Sequence, residues 1–171
     1  MRIFGLTGWS GSGKTTLLTA LIPLFTASGL SVSTIKHAHH GFDLDQPGKD
    51  SWRHRQAGAH EVMISGGARW ALMHELRGEE PPLPELLRRL SPVDLVLIEG
   101  FKANPHPKIE VYRPALAQPP MWPGRADIVA VAADAALASC ERPVLPLNDP
   151  ATVAAWMLAF LDRSDALHQT T

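Results

Sequence analysis

The chain has 171 residues, with 16 Lys and Arg against 17 Asp and Glu, a formal net charge of −1 and 45% apolar residues. That is the balance of a globular protein with room for one domain, and it rules out a strongly basic nucleic-acid binder as the default reading. No apolar run approaches the ~20 residues that cross a bilayer, and the single cysteine, Cys140, leaves no intrachain disulfide to form.

Residues 2–7 are a short apolar run that reads as a buried strand. It opens into Gly8-Trp-Ser-Gly-Ser-Gly13-Lys14-Thr15-Thr16, and a helical stripe of Leu17, Leu18, Leu21, Ile22 and Phe25 follows. Pro23 falls inside that stripe and Gly29 is its expected stop. Strand, glycine loop, Gly-Lys-Thr and helix together are the context a P-loop requires. Ser31 to Lys36 reads as a second strand, leading into a polar loop through Asp50. A helix is expected from Ser51 to Gln56, a hairpin from Glu61–Ser65 and Arg69–Met73, and a short helix from Pro84 to Leu90. Val93 to Glu99 is nearly all apolar, as a central parallel strand buried on both faces would be. Further strands are expected at Lys108–Tyr112, Ile128–Ala132 and Val144–Leu147, with a Pro-rich loop at 114–123. Asp149-Pro150 is an N-cap followed by proline at the first helical position. The closing helix is expected to run to about Asp162, ahead of a frayed tail at 163–171. The sum is an α/β, P-loop NTPase-like three-layer fold, with a mostly parallel central sheet, an antiparallel hairpin excursion and a single domain over 1–162. Arg2 is followed closely by a glycine-rich turn, so no secretory leader is expected, and the lone cysteine suits a reducing, cytoplasmic setting.

The glycine loop dictates a chemistry. A phosphate chain concentrates negative charge, and backbone N–H groups surround it only where side chains stay away, hence Gly8, Gly11 and Gly13. The helix that follows directs its first N–H groups and its dipole at the same anion. Gly11, Ser12, Gly13, Lys14, Thr15 and Thr16 are therefore the candidate phosphate-binding residues, with Lys14 the point charge for the β and γ phosphates. The Thr15 hydroxyl and the Glu99 carboxylate are candidate Mg²⁺ ligands, and Lys14 and Glu99 the candidate catalytic residues. Glu99 stands where Asp is more common, and Glu at this place can serve the same metal. In the 36–50 loop, a place where P-loop proteins carry segments that sense the γ-phosphate, Asp43, Asp45 and Asp50 are candidates for holding Mg²⁺ or orienting water. Five of the eight histidines lie between 37 and 60, and His37, His39 and His40 form a possible transition-metal group. No Asn-Lys-x-Asp guanine signature is present, and Asn148 stays open as a residue near the base. Trp52, Arg53 and Arg55 offer either a partner-facing patch or a packed tryptophan with solvated arginines. Two other reaction classes share these residues: a small-molecule kinase with Glu99 or Asp45 as base, and a metal-chaperone GTPase using the histidine loop.

Several segments together carry a resemblance. They are Gly8 to Thr16, Lys36-His-Ala-His-His-Gly-Phe-Asp-Leu-Asp45, Pro47-Gly-Lys-Asp-Ser and the run on to Ala59, Arg69-Trp-Ala-Leu-Met73, and Ile98-Glu-Gly-Phe-Lys102. They resemble the molybdopterin-guanine dinucleotide biosynthesis protein B (MobB) family across nearly the whole chain. The resemblance implies a P-loop protein that binds GTP with Mg²⁺, hydrolyses it weakly, and assists the guanylyltransferase that joins GMP to the molybdopterin cofactor. It implies a homodimer. It places GTP phosphates at Gly11 to Thr16, Mg²⁺ at Thr15 and Glu99, and nucleotide or pterin near the 36–50 loop, where Lys36 and Asp45 stand. The base identity, guanine, comes from the resemblance.

Overall fold

A computed structural model describes residues 1–38 and 41–168, with side chains through 166. The chain divides into two compact units, Met1–His37 with Leu90–Thr171, and Ala38–Arg89.

The larger unit is built on a six-stranded sheet. Its strands are β1 (Arg2–Thr7), β2 (Val32–Lys36), β5 (Leu95–Glu99), β6 (Lys108–Tyr112), β7 (Ile128–Ala133) and β8 (Val144–Pro146), in spatial order β2-β5-β1-β6-β7-β8. Every neighbouring pair in it is parallel. The apolar run that suggested a central strand is β5, buried along its full length from Leu95 to Glu99. Side chains alternate across a strand, so one face of the sheet presents Phe4, Leu6, Leu95, Leu97, Ile109 and Val111 to the main core. That face is covered by α1 (Lys14–Ala27) through Leu17, Leu18, Leu21 and Phe25, and by α4 (Pro150–His168) through Val153, Met157 and Leu161. Each such side chain contributes roughly 1.5–3 kcal/mol on leaving water, which is why the edges of this core rather than its centre are free to serve a site. A smaller cluster of Trp122, Ile128, Val131 and Ala133 packs separately.

Three local outcomes refine the sequence reading. The closing helix continues past Asp162 to His168. Pro23 is absorbed within α1, one turn before its end. The connection from β5 to β6, residues 100–107, is too short for the usual helical crossover and has to pass β1, which lies between the two strands. Gly5 makes the passage possible: a Cβ there would sit 2.5 Å from His106 Nε2 and 3.0 Å from the Lys108 Cβ.

The smaller unit holds α2 (Asp50–Gln56), the antiparallel pair β3 (Glu61–Ser65) and β4 (Trp70–His74), and α3 (Leu83–Arg89). Its second strand starts one residue later than expected, because Ser65 pairs with Trp70 and Gly66 N–H donates to the Arg69 carbonyl in the turn. Among the described residues only Val62 and Leu83 are buried apolar side chains here, while Met63, Trp70 and Leu72 are exposed. No helix of the described residues is long and apolar enough to cross a membrane.

Candidate nucleotide site

The loop 8–13 leaves the C-terminal end of β1 and enters α1 at Lys14. Three of its residues need glycine's conformational range, with φ of 141° at Gly8, 78° at Gly11 and 99° at Gly13. Gly8 is also a steric requirement: a Cβ would lie 2.4 Å from the Val111 carbonyl oxygen. Gly13 caps α1 with no side-chain hydrogen bond, so the first-turn N–H groups have no side-chain cap competing for them. That is the cup the sequence called for.

The loop is pinned from outside. Arg113, the residue after β6, donates from Nε to the Ser12 carbonyl at 3.0 Å and pairs through Nη1 with Asp134 at 2.5 Å. A trans peptide points C=O and the next N–H in opposite directions, so holding the Ser12 carbonyl on Arg113 turns the Gly13 N–H away from it. Trp9 donates from Nε1 to the Pro119 carbonyl at 2.7 Å, and the Lys102 ammonium lies 5.1 Å from its ring centre. The Pro-rich loop expected to be irregular therefore braces the phosphate loop. Among the described residues the buried Ser12 hydroxyl has no hydrogen-bond partner.

Charge converges at the other side of the loop. Thr15 Oγ1 donates to the Glu99 carboxylate, 2.9 Å from Oε1 and 3.1 Å from Oε2. Lys36 ends β2 beside Glu99 in register, with Nζ 3.8 Å from Oε1. Lys14 donates from Nζ to the Trp9 carbonyl at 2.9 Å. Burial lowers the Lys14 ammonium from its ordinary value, Glu99 opposes that, and Lys102 and Lys36 add to it. A hydroxyl and a carboxylate in contact suit Mg²⁺, which takes one or two protein oxygens and fills its octahedron with phosphate and water. Gly100, at φ 99°, lets the chain turn beside this pair, where a Cβ would meet the His37 Cβ at 2.8 Å. His37 stacks on Phe101, with ring centres 4.4 Å apart.

The larger unit thus gathers Gly11, Ser12, Gly13, Lys14, Thr15, Thr16, Lys36 and Glu99 at the ends of β1, β2 and β5. Asp45 belongs to the smaller unit, where both its oxygens are engaged: Oδ1 accepts from the Ser51 hydroxyl at 2.8 Å and Oδ2 from Arg55 Nε at 3.3 Å. Arg55 also binds both oxygens of Asp43 at 2.8 Å and Glu75 at 3.0 Å, so it organises the 43–55 segment. Trp52 is half-buried. Among the described residues no group of three or more His, Cys, Asp or Glu is placed to hold a metal. His39 and His40 of the histidine loop lie outside the described residues. Arg113 is the residue that sequence reasoning left without a role. Its only signal was its position after a strand, and strand order alone decides that β6 neighbours β1.

Comparison with known proteins gives the family. The sequence profile of the family described as MobB, molybdopterin guanine dinucleotide synthesis protein B, matches residues 3–134. A molybdopterin-guanine dinucleotide biosynthesis adapter protein of Escherichia coli is 37% identical over 167 residues, 95% of each chain. The protein of the same description from Haemophilus influenzae is 46% identical over 123 residues, 68% of this chain and 66% of its own length. A crystal structure of a MobB homologue from Bacillus stearothermophilus superposes with a TM-score of 0.70 at 26% identity, covering 95% of this chain and 99% of that one. A phosphate loop braced by Arg113, with Glu99 set against Thr15, and sequence agreement along nearly the whole chain lead to one conclusion: this protein belongs to the MobB family.

Proposed function

We propose that the protein binds GTP with Mg²⁺ in the Gly8–Thr16 cup, hydrolyses it weakly, and acts as an adapter. In that role it assists a MobA-like guanylyltransferase in joining GMP to molybdopterin. The observation that carries the reading is the contact between Thr15 and Glu99 at the lip of an uncapped helix N-terminus. It sets two hard oxygen ligands beside a ready anion site, where Thr15 and Glu99 would hold Mg²⁺ and the metal would neutralise phosphate charge. Weak hydrolysis is supported by the state of Arg113, whose Nε and Nη1 donate to the Ser12 carbonyl and Asp134. A P-loop without a free arginine turns over slowly. The adapter role comes from the family and from the names of the relatives.

Homodimerisation through the hairpin belongs to the same reading. An isolated two-stranded hairpin is marginal in water, and this one keeps Met63, Trp70 and Leu72 exposed on the face they share by register. A cytoplasmic location suits the chemistry. The decisive experiment compares GTP and ATP affinity by calorimetry, with and without Mg²⁺, and then adds the protein to a guanylyltransferase and molybdopterin. Mg²⁺-dependent GTP binding and a raised dinucleotide yield are expected. GTP binding no tighter than ATP, or an unchanged yield, would overturn the reading.

A further inference from the structure

Glu110 lies in the middle of β6, fully buried, and the chemistry above does not use it. An ionised carboxylate is costly to bury, and an apolar side chain of similar size would pack there at less cost unless the charge holds something. What meets it is backbone. The Met121 N–H donates to the carboxylate, 2.9 Å from Oε1 and 3.0 Å from Oε2. Burial raises the Glu110 pKa above its ordinary value, and the N–H groups of Met121 and Trp122 oppose the rise, with the Arg125 charge a smaller influence.

Met121 is one end of a stiff lever. Pro119 and Pro120 precede it, and their rings lock φ, so the position of the Met121 N–H places the Pro119 carbonyl two residues before it. Pro119, itself followed by a proline, is further confined to extended backbone. Its carbonyl accepts from Trp9 Nε1 at 2.7 Å. Trp9 in turn closes the phosphate loop, since its own carbonyl accepts from the Ser12 N–H at 3.2 Å and from Lys14 Nζ at 2.9 Å. Ser10 and Gly11 beside it are exposed, and glycine-rich backbone is the costliest to order, so the shape of the loop depends on where the Trp9 ring is tied. The same segment has weaker ties to the sheet: the Thr7 hydroxyl lies 3.8 Å from Met121 Sδ, and the Trp122 ring meets Tyr112 edge-on with centres 5.1 Å apart. A hydrogen bond to a carboxylate is roughly twice as strong as one between neutral groups, so Glu110 is the anchor of the lever.

We propose that Glu110 is a positioning residue for the phosphate loop: its carboxylate fixes the 119–121 segment, which fixes Trp9 and, through the Trp9 carbonyl, the Ser12 N–H and Lys14. The proposal rests on the nucleotide reading above and adds what holds the loop ready for its anion. The test measures the affinity for GTP with Mg²⁺, by calorimetry, in the full chain and in Glu110→Gln, Trp9→Phe and the two combined. Glutamine keeps the shape and one acceptor oxygen, and phenylalanine keeps a ring at the half-buried position 9, so all three are expected to fold, as urea unfolding checks. Each single change is expected to lower GTP affinity roughly five- to tenfold, and the double variant to lose no more than the larger of the two. A Glu110 that only stabilises the fold would give losses that multiply. Trp9→Phe breaks the lever at its outer end, so it decides even where a change at buried Glu110 unfolds the chain. A second readout needs no nucleotide. In ¹⁵N-labelled protein the Trp9 indole N–H signal, identified by its loss in Trp9→Phe, is expected to exchange with solvent roughly tenfold faster in Glu110→Gln. The signal of Trp156, stacked on Phe160 against the main core, should keep its rate. An unchanged Trp9 exchange rate, losses that multiply, or a Trp9→Phe variant that binds GTP as the wild type does would overturn the positioning role and leave the nucleotide reading standing. Wild-type protein that binds no GTP would instead bring down the nucleotide reading, and the exchange rates would still show whether Glu110 holds Trp9.

Discussion

Lys36 and Glu99 are register partners at the ends of two adjacent parallel strands, and their charged groups stand 3.8 Å apart while the Thr15 hydroxyl donates to the same carboxylate. Glu99 is buried at 9% exposure, so its orientation is set by these two neighbours rather than by water. Replacement Glu99→Gln keeps the shape and removes the charge. The Mg²⁺-dependent gain in GTP affinity is expected to fall by about tenfold, while affinity without metal holds or rises, because a negative group beside the phosphates is gone. Calorimetry with and without Mg²⁺ reads both arms, and an undiminished metal effect would remove Glu99 from the site.

Lys14 donates to the Trp9 carbonyl, inside its own loop, and among the described residues it makes no hydrogen bond to the core. Lys14→Ala is therefore expected to leave the fold intact by circular dichroism. GTP affinity should drop by ten- to a hundredfold, the scale of one or more hydrogen bonds from a charged donor. A variant that binds GTP as the wild type does would show that the ammonium plays no part.

Gly8 carries two constraints at once, a φ of 141° and a position where a Cβ would lie only 2.4 Å from the Val111 carbonyl oxygen. A Cβ cannot be absorbed by a flexible side chain here, because the obstacle is backbone. Gly8→Ala is expected to cost about 1–3 kcal/mol in urea unfolding and to weaken nucleotide binding. Gly11→Ala is the control for crowding, since a Cβ at Gly11 meets nothing within 4 Å.

His106 lies over Gly5 with both ring nitrogens buried and, among the described residues, lacking a hydrogen-bond partner. Burial first, and then the nearby Lys108 charge, push its pKa down to about 4, with Asp127 opposing. A base whose pKa is depressed by folding binds its proton more readily in the unfolded chain, so stability is lost as pH falls from about 6.5 to about 4. The loss from this group is at most about 3 kcal/mol. His106→Leu removes the titrating ring, and its melting temperature should change less than wild type over that window. Parallel curves for the two proteins would clear His106 of the effect.

Sequence alone determined the glycine loop at 8–13 and its entry into α1. Glycine spacing, a following lysine and threonine, and the flanking strand and helix are local features, and local backbone geometry is what the chemistry of the cup requires. It also determined β5, since a run with no polar break is buried on both faces only in the middle of a parallel sheet. Glu99 was legible as the last residue of that run. Only the tertiary structure decided its neighbours. Lys36 and Arg113 stand 63 residues before Glu99 and 101 residues after Ser12, and they reach the loop because β2 pairs with β5 and β6 with β1. Asp45 resembled other loop carboxylates in the sequence, yet the structure assigns it to Arg55 and Ser51. Strand order and long-range ion pairing depend on which surfaces bury each other across the whole chain, and no local pattern of residues encodes that choice.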